Sequence, residues 1–330
     1  MMEQWNRSTR LPNVDSHKKT LYFQKILETP IPRIMFRLGY NTNGFNCHSL
    51  ESALEVISSL GYQGVAITLD NFILNPWNSD LNTELDLVER RLKQYSLSCV
   101  IETGARFLLN PRHKHEPTLI SNDAEGRKTR LKFLKKALII AGRLNAEALS
   151  FWSGKKQDTV ADRTAWKWLI SGCRELSNDA EKFKVPLAFE PEPGMFIENL
   201  SQFKKLKQQV GHGLFCLTLD VGHAFLTEKI PAGECIRQFS KNIKNIHIED
   251  MKKQAHQHLF FGEGEIDFED IFKALKDINY KGLLNVELSR HSHDAVNVAK
   301  QSYEYLRKLA CLESPGSPEE KGRNKKIGAR

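Results

Sequence analysis

Short apolar runs and helix-like segments alternate along the chain from residue 34 to about residue 310. The first apolar run lies near Ile34–Tyr40, and Ser49–Leu60 then carries apolar side chains at the spacing of one helical face. Gly61 follows in the position that a C-terminal helix cap prefers. Repetition of this strand–helix unit predicts a parallel sheet buried by helices, which places the chain in the α/β class.

Eight such units over about 280 residues are typical of a closed (β/α)8 TIM barrel, with a parallel eight-stranded core and outer helices. An open doubly wound sheet is the alternative, and it would usually carry a glycine-rich phosphate loop after its first strand. The turn at that place reads GYNTNG over Gly39–Gly44, which lacks the G-x-G-x-x-G pattern. The sequence therefore favours a barrel, which we assign to residues 34–312.

The two ends of the chain differ from this barrel in composition. Residues 1–33 are predicted to form an N-terminal extension, and residues 313–330 a disordered basic C-terminal tail without periodicity. Residues 1–33 hold six Lys/Arg against three Asp/Glu, and residues 319–330 hold five against two. The net charge of +8 is thus concentrated in the ends, and about +2 remains for the body. This distribution disfavours nucleic acid as a partner.

Composition excludes several other classes of protein. No apolar run approaches the ~20 residues that a membrane-spanning helix needs, and the N-terminus lacks the apolar core of a secretory signal. The six cysteines are scattered without a C-x-x-C pair, which argues against a disulfide framework and a thiolate zinc site. We therefore expect a soluble, cytoplasmic protein that makes no membrane contact. The sequence leaves the oligomeric state open.

Four potential metal ligands stand at the C-terminal ends of apolar runs: Glu190, Asp220, His247 and Glu287. The gaps between them are close to the ~30 residues of one βα unit. Because the C-terminal ends of barrel strands converge on one face, we expect these side chains to meet. Three carboxylates without a cation would repel one another. Three carboxylates and an imidazole suit Mn²⁺, Mg²⁺ or Co²⁺, and also Zn²⁺.

A second group of imidazoles lies close to these ligands in the sequence. His223 follows the second of them by three residues, on the turn that leaves the strand. His256 and His258 are two residues apart, so they share a face if the segment is extended. Gly262 and Gly264, in the loop that follows, permit unusual backbone dihedrals near a ligand. We interpret the three histidines as a second metal site or as substrate contacts.

Two arginines are candidates for substrate binding. Arg106 follows the third predicted strand, and Arg290 follows Glu287 by three residues. Guanidinium groups at the mouth of a barrel would suit a phosphate or carboxylate on the substrate. A solvated loop charge is the alternative for each of them.

Several motifs in the C-terminal half resemble a known group of barrels. They are FEPE at Phe189–Glu192, LDVGHAF at Leu219–Phe225, NIHIED at Asn245–Asp250, HLFFGEGEID at His258–Asp267, and VEL at Val286–Leu288. With them the chain resembles the xylose isomerase-like TIM-barrel superfamily, which holds sugar phosphate isomerases and epimerases and the related apurinic endonucleases. The resemblance implies that Glu190, Asp220, His247 and Glu287 bind one divalent metal. It also implies that Glu190 and Glu287 are catalytic and exchange a substrate proton.

The endonuclease branch of that superfamily carries additional metals, and its pattern is only partly present here. That pattern places histidines at positions 223 and 258 and an aspartate at 256, where this chain has His256. The histidines it uses near the ends of the second and fourth strands are not evident. Those ends read TLD at Thr68–Asp70 and SFWS at Ser150–Ser153. One metal, or two, is therefore indicated rather than three.

The leading hypothesis is a divalent-metal-dependent isomerase or epimerase of a small sugar or sugar phosphate. Glu190 and Glu287 would transfer a proton at the carbon next to a carbonyl. A dehydratase of a cyclic polyol ketone starts with the same proton abstraction and is a near variant. The alternatives are a metal-dependent apurinic-type endonuclease or phosphodiesterase and a catalytically silent binding module. Retention of all four ligands argues against the silent barrel.

Overall fold

The computed structural model describes residues 36–311. The predicted N-terminal extension of residues 1–33 and the predicted tail of residues 313–330 lie outside this range, so both stay predictions. Within residues 36–311, no helix combines the length and the apolar character that crossing a membrane requires.

Eight parallel strands form a closed barrel, which confirms the predicted fold class. Its order is β1-β10-β7-β6-β5-β4-β3-β2, and β1 closes the ring by pairing with both β10 and β2. The barrel strands are β1 Arg37–Asn41, β2 Gly64–Thr68, β3 Ser98–Glu102, β4 Leu149–Phe151, β5 Leu187–Phe189, β6 Phe215–Asp220, β7 Ile243–Ile248 and β10 Leu283–Val286. The remaining two, β8 Asp250–Lys252 and β9 Ala255–Leu259, form a separate antiparallel pair.

Nine α-helices are described in the same range. They are α1 Leu50–Ser59, α2 Leu81–Gln94, α3 Ala124–Arg143, α4 Asp162–Phe183, α5 Leu200–Val210, α6 Val221–Thr227, α7 Ala232–Phe239, α8 Phe268–Asp277 and α9 Ala295–Cys311. Short 3-10 turns follow β1 at Thr42–Phe45 and β10 at Ser289–Asp294. The simple alternation predicted from the sequence fails after β7, because the β8–β9 hairpin comes before α8. β9 is polar and largely exposed, so no apolar run announced it.

Side-chain caps explain where several helices begin and end. Asp123 accepts hydrogen bonds from the backbone of Glu125 and Gly126, which caps the start of α3 at Ala124. Asn199 and Gln202 form a reciprocal capping box at the start of α5. Beyond α1, Gly61 has a φ of +99°, the left-handed conformation that glycine adopts without strain.

The barrel interior is arranged in layers. One layer consists of fully buried apolar side chains contributed by five strand segments: Ala66, Val100, Ala148, Ala188 and Leu283. Side chains two residues apart on a strand point the same way, so the next inward layer lies two positions further along each segment. That layer is polar and consists of Thr68, Glu102, Ser150, Glu190 and Asn285. The apolar layer therefore closes the barrel beneath a polar layer at its C-terminal end.

Hydrogen bonds satisfy most of this buried polar layer. The Asn285 amide donates to Asn245 Oδ1 at 2.9 Å, and the Asn245 amide donates to Glu102 Oε1 at 3.0 Å. Thr218 Oγ1 donates to Ser150 Oγ at 3.0 Å. Because unpaired polar groups are costly to bury, such a network holds its members in one arrangement. It forms the floor of the candidate site.

A carboxylate also anchors the loop after the hairpin. Asp250 accepts backbone hydrogen bonds from Gly262 and Gly264, both at 2.9 Å, and from Ile266 at 3.2 Å. Gly262 has a φ of +90°, as expected for an unusual backbone dihedral. Gly264 has no such dihedral and is needed for close approach, since an added Cβ would lie 2.2 Å from Asp250 Oδ1.

Substitution Leu283→Ala tests the role of the apolar layer. Leu283 is fully buried, so its truncation leaves a cavity and should lower the free energy of unfolding by about 2–5 kcal/mol. Ile139→Ala removes a comparable aliphatic side chain that is 52% exposed, and should change the free energy of unfolding by about 0.5 kcal/mol or less. Urea denaturation measures both. Equal destabilisation by the two variants would contradict the layered interior.

Candidate metal centre and active site

The four predicted ligands meet at the C-terminal end of the barrel. Glu190 and Glu287 directly follow β5 and β10, Asp220 ends β6, and His247 is the penultimate residue of β7. Strand pairing places His247 level with Asp220 on one side. One ligand atom from each of the four residues lies within 4.8 Å of all the others. The geometry is thus compatible with one shared cation.

His247 occupies the centre of this quartet. Its Nδ1 atom lies 3.0 Å from Glu287 Oε2, 3.2 Å from Glu190 Oε1 and 3.8 Å from Asp220 Oδ2. Burial alone would lower the pKa of His247, but the carboxylates of Glu287, Glu190 and Glu102 raise it well above its ordinary value. A charge of +1 on the ring would offset only part of the surrounding negative charge.

Two carboxyl groups of the quartet, those of Glu190 and Glu287, have lowered pKa values. Burial would raise the pKa of Glu190, but His247 and His223 outweigh it and lower that pKa to about 2. The pKa of Glu287 is also lowered, because His247 more than offsets the effect of burial. Asp220 Oδ2 is buried without a hydrogen-bond partner. Ionised, converging oxygens with an unused acceptor atom fit a divalent cation.

Glu102 is a site residue that our sequence interpretation missed. It ends β3, is only 6% exposed, and its Oε1 lies 2.9 Å from His247 Nε2, on the far side of the ring from the quartet. Burial raises the pKa of this carboxyl group despite the opposing influence of His247. The run Ser98–Glu102 ends in a carboxylate as the other ligand runs do, so the same signal would have found it.

Glu249 is a second buried carboxyl group that the sequence interpretation passed over. Its Oε1 accepts a hydrogen bond from the Gly222 backbone at 3.1 Å, and its Oε2 is buried without a partner. Burial, followed by Asp220 and Glu287, raises its pKa well above the ordinary value. It forms a further potential ligand group with Asp220 and His258. Its position directly after β7 was the available signal.

The three predicted histidines also come together. His223 Nε2 lies 2.9 Å from His256 Nε2, and the ring centroids of His223 and His258 are 5.7 Å apart. Ligand atoms of the three lie within 4.8 Å of one another. His256 and His258 project from β9 on one face, as the two-residue spacing predicts. The trio adjoins the quartet, because His223 Nδ1 is 3.4 Å from Glu190 Oε1.

The histidines differ in their protonation. Burial would lower the pKa of His223, but Asp220 and Glu190 outweigh it and raise that pKa to about 10. For His256, burial and then the neighbouring His223 and His258 lower the pKa to about 4. These opposite shifts favour His223 as the donor and His256 as the acceptor in the short contact between the two rings.

A cavity of about 480 Å³ opens above the quartet and connects it to the histidines. Its inner wall is acidic, with Glu102, Glu190, Glu192 and Glu287, and its outer wall includes Arg106, Lys114 and Arg290. Burial raises the pKa of Glu192, a half-buried member of the wall, to about 7. Such a volume suits a small molecule.

The two predicted substrate-binding arginines both line the cavity but are held differently. Arg106 forms an ion pair with Asp70 at 2.6 Å and donates to Asn46 Oδ1 at 2.6 Å, so it ties the loops after β1, β2 and β3 together. Arg290 and Lys114 are exposed, and neither has an ion-pair partner within residues 36–311.

The ends of β2 and β4 contain no histidine, as the sequence indicates. Thr68 donates to Asn41 Oδ1 at 2.8 Å, and Asp70 is engaged by Arg106. Trp152 packs edge-on against His115, with ring centroids 5.5 Å apart. These positions serve loop packing and the cavity wall, so the additional ligands of the endonuclease pattern are missing.

Sequence comparison finds similar proteins whose names give different activities or none. The uncharacterized protein MJ1614 of Methanocaldococcus jannaschii is 28% identical over 245 residues, which cover 67% of this chain and 91% of that protein. An inosose dehydratase of Clostridium perfringens is 28% identical over 145 residues, which span 39% of this chain and only about half of that protein (48%). L-ribulose-5-phosphate 3-epimerase of Escherichia fergusonii is 24% identical over 251 residues, covering 75% and 85% of the two chains.

Solved structures share the fold at low sequence identity. A D-allulose 3-epimerase from Methylomonas sp. in complex with D-allulose superposes with a TM-score of 0.67 at 18% identity, covering 83% of this chain and 97% of that chain. The IolI protein with a bound zinc atom gives a TM-score of 0.67 at 17% identity, covering 83% and 98%.

The family of the chain follows from a separate comparison with family models. A family model described as xylose isomerase-like TIM barrel matches residues 54–309, which include the four strand-end ligands and the three histidines. The match runs through most of the closed barrel seen in the structure. The chain therefore belongs to the xylose isomerase-like TIM barrel family.

Proposed function

We propose that this protein is a divalent-metal-dependent isomerase or epimerase of a small sugar or sugar phosphate. The observation that carries the proposal is the convergence of Glu190, Asp220, His247 and Glu287 within 4.8 Å beside a cavity of about 480 Å³. Epimerases among the relatives and fold neighbours support it. The zinc atom in one neighbour supports metal binding, and Mn²⁺, Co²⁺, Mg²⁺ and Zn²⁺ all suit this donor set.

The proposed reaction relies on proton transfer by two carboxylates. When bound by the quartet, a divalent cation supplies Lewis-acid stabilisation of negative charge on a carbonyl oxygen and the adjacent hydroxyl. Glu190 Oε1 lies 3.2 Å and Glu287 Oε2 lies 3.0 Å from His247 Nδ1, and both residues line the cavity. One would remove the proton next to the carbonyl and the other would return a proton. Asn43 donates to Glu287 Oε1 at 2.7 Å and so orients that carboxylate.

The histidine trio would contact the substrate or hold a second cation. His223 Nδ1 is buried without a hydrogen-bond partner and lies next to Glu190. His256 and His258 face the same cavity from β9. These side chains are placed to bind hydroxyl groups of a substrate that reaches the quartet. Ends of β2 and β4 without histidines count against the three-metal nuclease alternative.

A dehydratase is the second candidate, and two observations favour it. The chain is similar to inosose dehydratases over part of their length. The cavity is also lined by Glu192, a further carboxyl group besides the two proposed to transfer protons. Loss of water needs one group to take the proton next to the carbonyl and another to protonate the departing hydroxyl. A product that absorbs as a conjugated ketone would identify this reaction.

The cationic outer wall of the cavity favours a substrate with an anionic group. Arg290 and Lys114 have no ion-pair partner among the described residues, whereas Arg106 is already paired with Asp70. Guanidinium and ammonium groups at this position would bind a phosphate or carboxylate while the carbonyl end reaches the acidic inner wall. Arg106 would contribute by sharing its remaining donors.

Metal binding is tested with His247→Ala. Loss of the central ligand should weaken the affinity for Mn²⁺ or Zn²⁺ more than the ~10–100-fold typical of outer-shell changes. Calorimetric titration of metal-free protein measures this affinity. His293→Ala, which removes an exposed histidine, should bind as the wild type does. A folded wild-type protein with no affinity for any of the four candidate ions would refute the metal centre.

Proton transfer is tested with Glu190→Gln and Glu287→Gln. The wild-type protein loaded with metal should exchange the hydrogen next to the carbonyl of its ketose substrate in deuterated water. Each variant should slow this exchange by about 10²–10⁴-fold, because a positioned acid or base is lost. NMR of a ketose panel measures exchange, and Glu304→Gln on the exposed face of α9 is the control. Cleavage of an abasic duplex without any exchange would favour the nuclease.

The anionic-group proposal is tested with Arg290→Ala. Loss of a charge-assisted hydrogen bond, typically about 1.5–3 kcal/mol, should raise KM for a phosphorylated ketose by about 10–100-fold. KM for the unphosphorylated ketose should stay within about 2-fold, since it lacks the group. Steady-state kinetics compare the two, with exposed Arg307→Ala as the control. Equal effects on both substrates would contradict the proposed contact.

A further inference from the structure

The imidazole of His247 is held from both sides. Its Nδ1 faces the carboxylates of the quartet, and its Nε2 faces Glu102 at 2.9 Å. Both His247 and Glu102 are almost completely buried. We infer that Glu102 is a positioning residue that keeps the proton of His247 on Nε2 and so leaves Nδ1 free to bind the cation. This inference rests on the metal role proposed for the quartet.

The hydrogen-bond network shows which atom accepts. Asn285 donates to Asn245 Oδ1 at 2.9 Å, which turns the Asn245 amide nitrogen toward Glu102. Two nitrogens then converge on Glu102 Oε1, one from Asn245 at 3.0 Å and one from His247 at 2.9 Å. An oxygen approached by two donors acts as an acceptor. Nε2 is therefore the protonated nitrogen when His247 is neutral.

Asn245 provides a competing arrangement if Glu102 is removed. Its amide nitrogen lies 3.1 Å from His247 Nε2, close enough to donate to that atom. With no acceptor opposite, Nε2 would receive this hydrogen bond and the proton would move to Nδ1. Nδ1 is the nitrogen that faces Glu190, Asp220 and Glu287. The neutral ring would then direct an N–H, rather than a lone pair, toward the cation.

The fold offers no other carboxylate for this task. Among the described residues, Glu102 is the only carboxylate within hydrogen-bond distance of Nε2, whereas three face Nδ1. Carboxylates that accept the second N–H of a ligating histidine fix its tautomer and orientation. Glu102 also lines the cavity, so a direct contact with substrate is the competing role. Metal binding without substrate separates the two.

The test compares three variants of the full chain, with Zn²⁺ as the probe. Glu102→Leu keeps the size of the side chain but removes the acceptor, and should weaken Zn²⁺ affinity by about 10–100-fold. Glu102→Gln keeps an acceptor oxygen and should retain most of the affinity. Glu147→Leu is the control. Glu147 lies just before β4 and forms an ion pair with Arg37. Competition titration with a zinc indicator gives each dissociation constant.

A second readout needs no variant. In zinc-loaded wild-type protein with ¹⁵N-labelled histidine, NMR should show His247 with a proton on Nε2 that is protected from solvent exchange. Zinc on Nδ1 leaves a proton on Nε2 whatever lies beside it, so the decisive feature is a downfield shift of this proton, which a hydrogen bond to Glu102 produces and space filling does not. It also remains available if Glu102→Leu fails to fold.

The outcomes separate this inference from the proposed function. Folded wild-type protein that binds neither Zn²⁺ nor any of Mn²⁺, Co²⁺ and Mg²⁺ overturns the metal centre and the inference with it. Zinc binding that is equal in wild type and Glu102→Leu overturns only the role of Glu102. The role of Glu102 is also overturned if Glu102→Gln binds Zn²⁺ no more tightly than Glu102→Leu does. Zinc bound to Nε2 of His247 with the proton on Nδ1 would overturn it as well.

Discussion

Three carboxylates buried around one imidazole form the interaction on which the rest of the site depends. Closure of the barrel brings Glu190, Asp220 and Glu287 around His247 Nδ1, and the apolar layer beneath them excludes water from the interior. Buried charges are costly unless they are paired. The imidazole can offset only part of this charge, and the proposed divalent cation would complete the balance. The same cation would supply the charge stabilisation that proton transfer next to a carbonyl requires.

Different side chains lie on the two sides of the His247 ring, and the charge of the cavity wall changes from its inner end to its mouth. Glu102 and Asn245 lie on the Nε2 side of the His247 ring, and the three carboxylates of the quartet lie on its Nδ1 side. The cavity with the histidine trio lies beyond these carboxylates. Acidic side chains line the inner cavity and cationic ones its mouth, so a bound molecule would be oriented by charge along its length. The proposed chemistry therefore lies at one end of the cavity and the proposed substrate recognition at the other.

The sequence was sufficient to predict the barrel and the convergence of the four quartet side chains, because both leave a local signal. Each of the four predicted ligands stands at the end of an apolar run, and parallel strands of a barrel present their C-terminal ends on one face. Glu102 and Glu249 also stand at strand ends, but their roles were missed. Which carboxylates lie near the His247 ring depends on which strands are neighbours in the barrel. The β8–β9 hairpin left no apolar pattern. Likewise, the pairing of Arg106 with Asp70 depends on how two loops pack, and sequence spacing carries no information about that.

Anomalous diffraction from a crystal soaked in Mn²⁺ is the most direct measurement of the central claim. The account predicts one strong anomalous peak bonded to Glu190, Asp220, His247 Nδ1 and Glu287, with Glu102 still accepting from His247 Nε2. A weaker second peak among His223, His256 and His258 is compatible with it. No peak within the quartet at saturating Mn²⁺, or a peak at the histidine trio alone, would contradict the account.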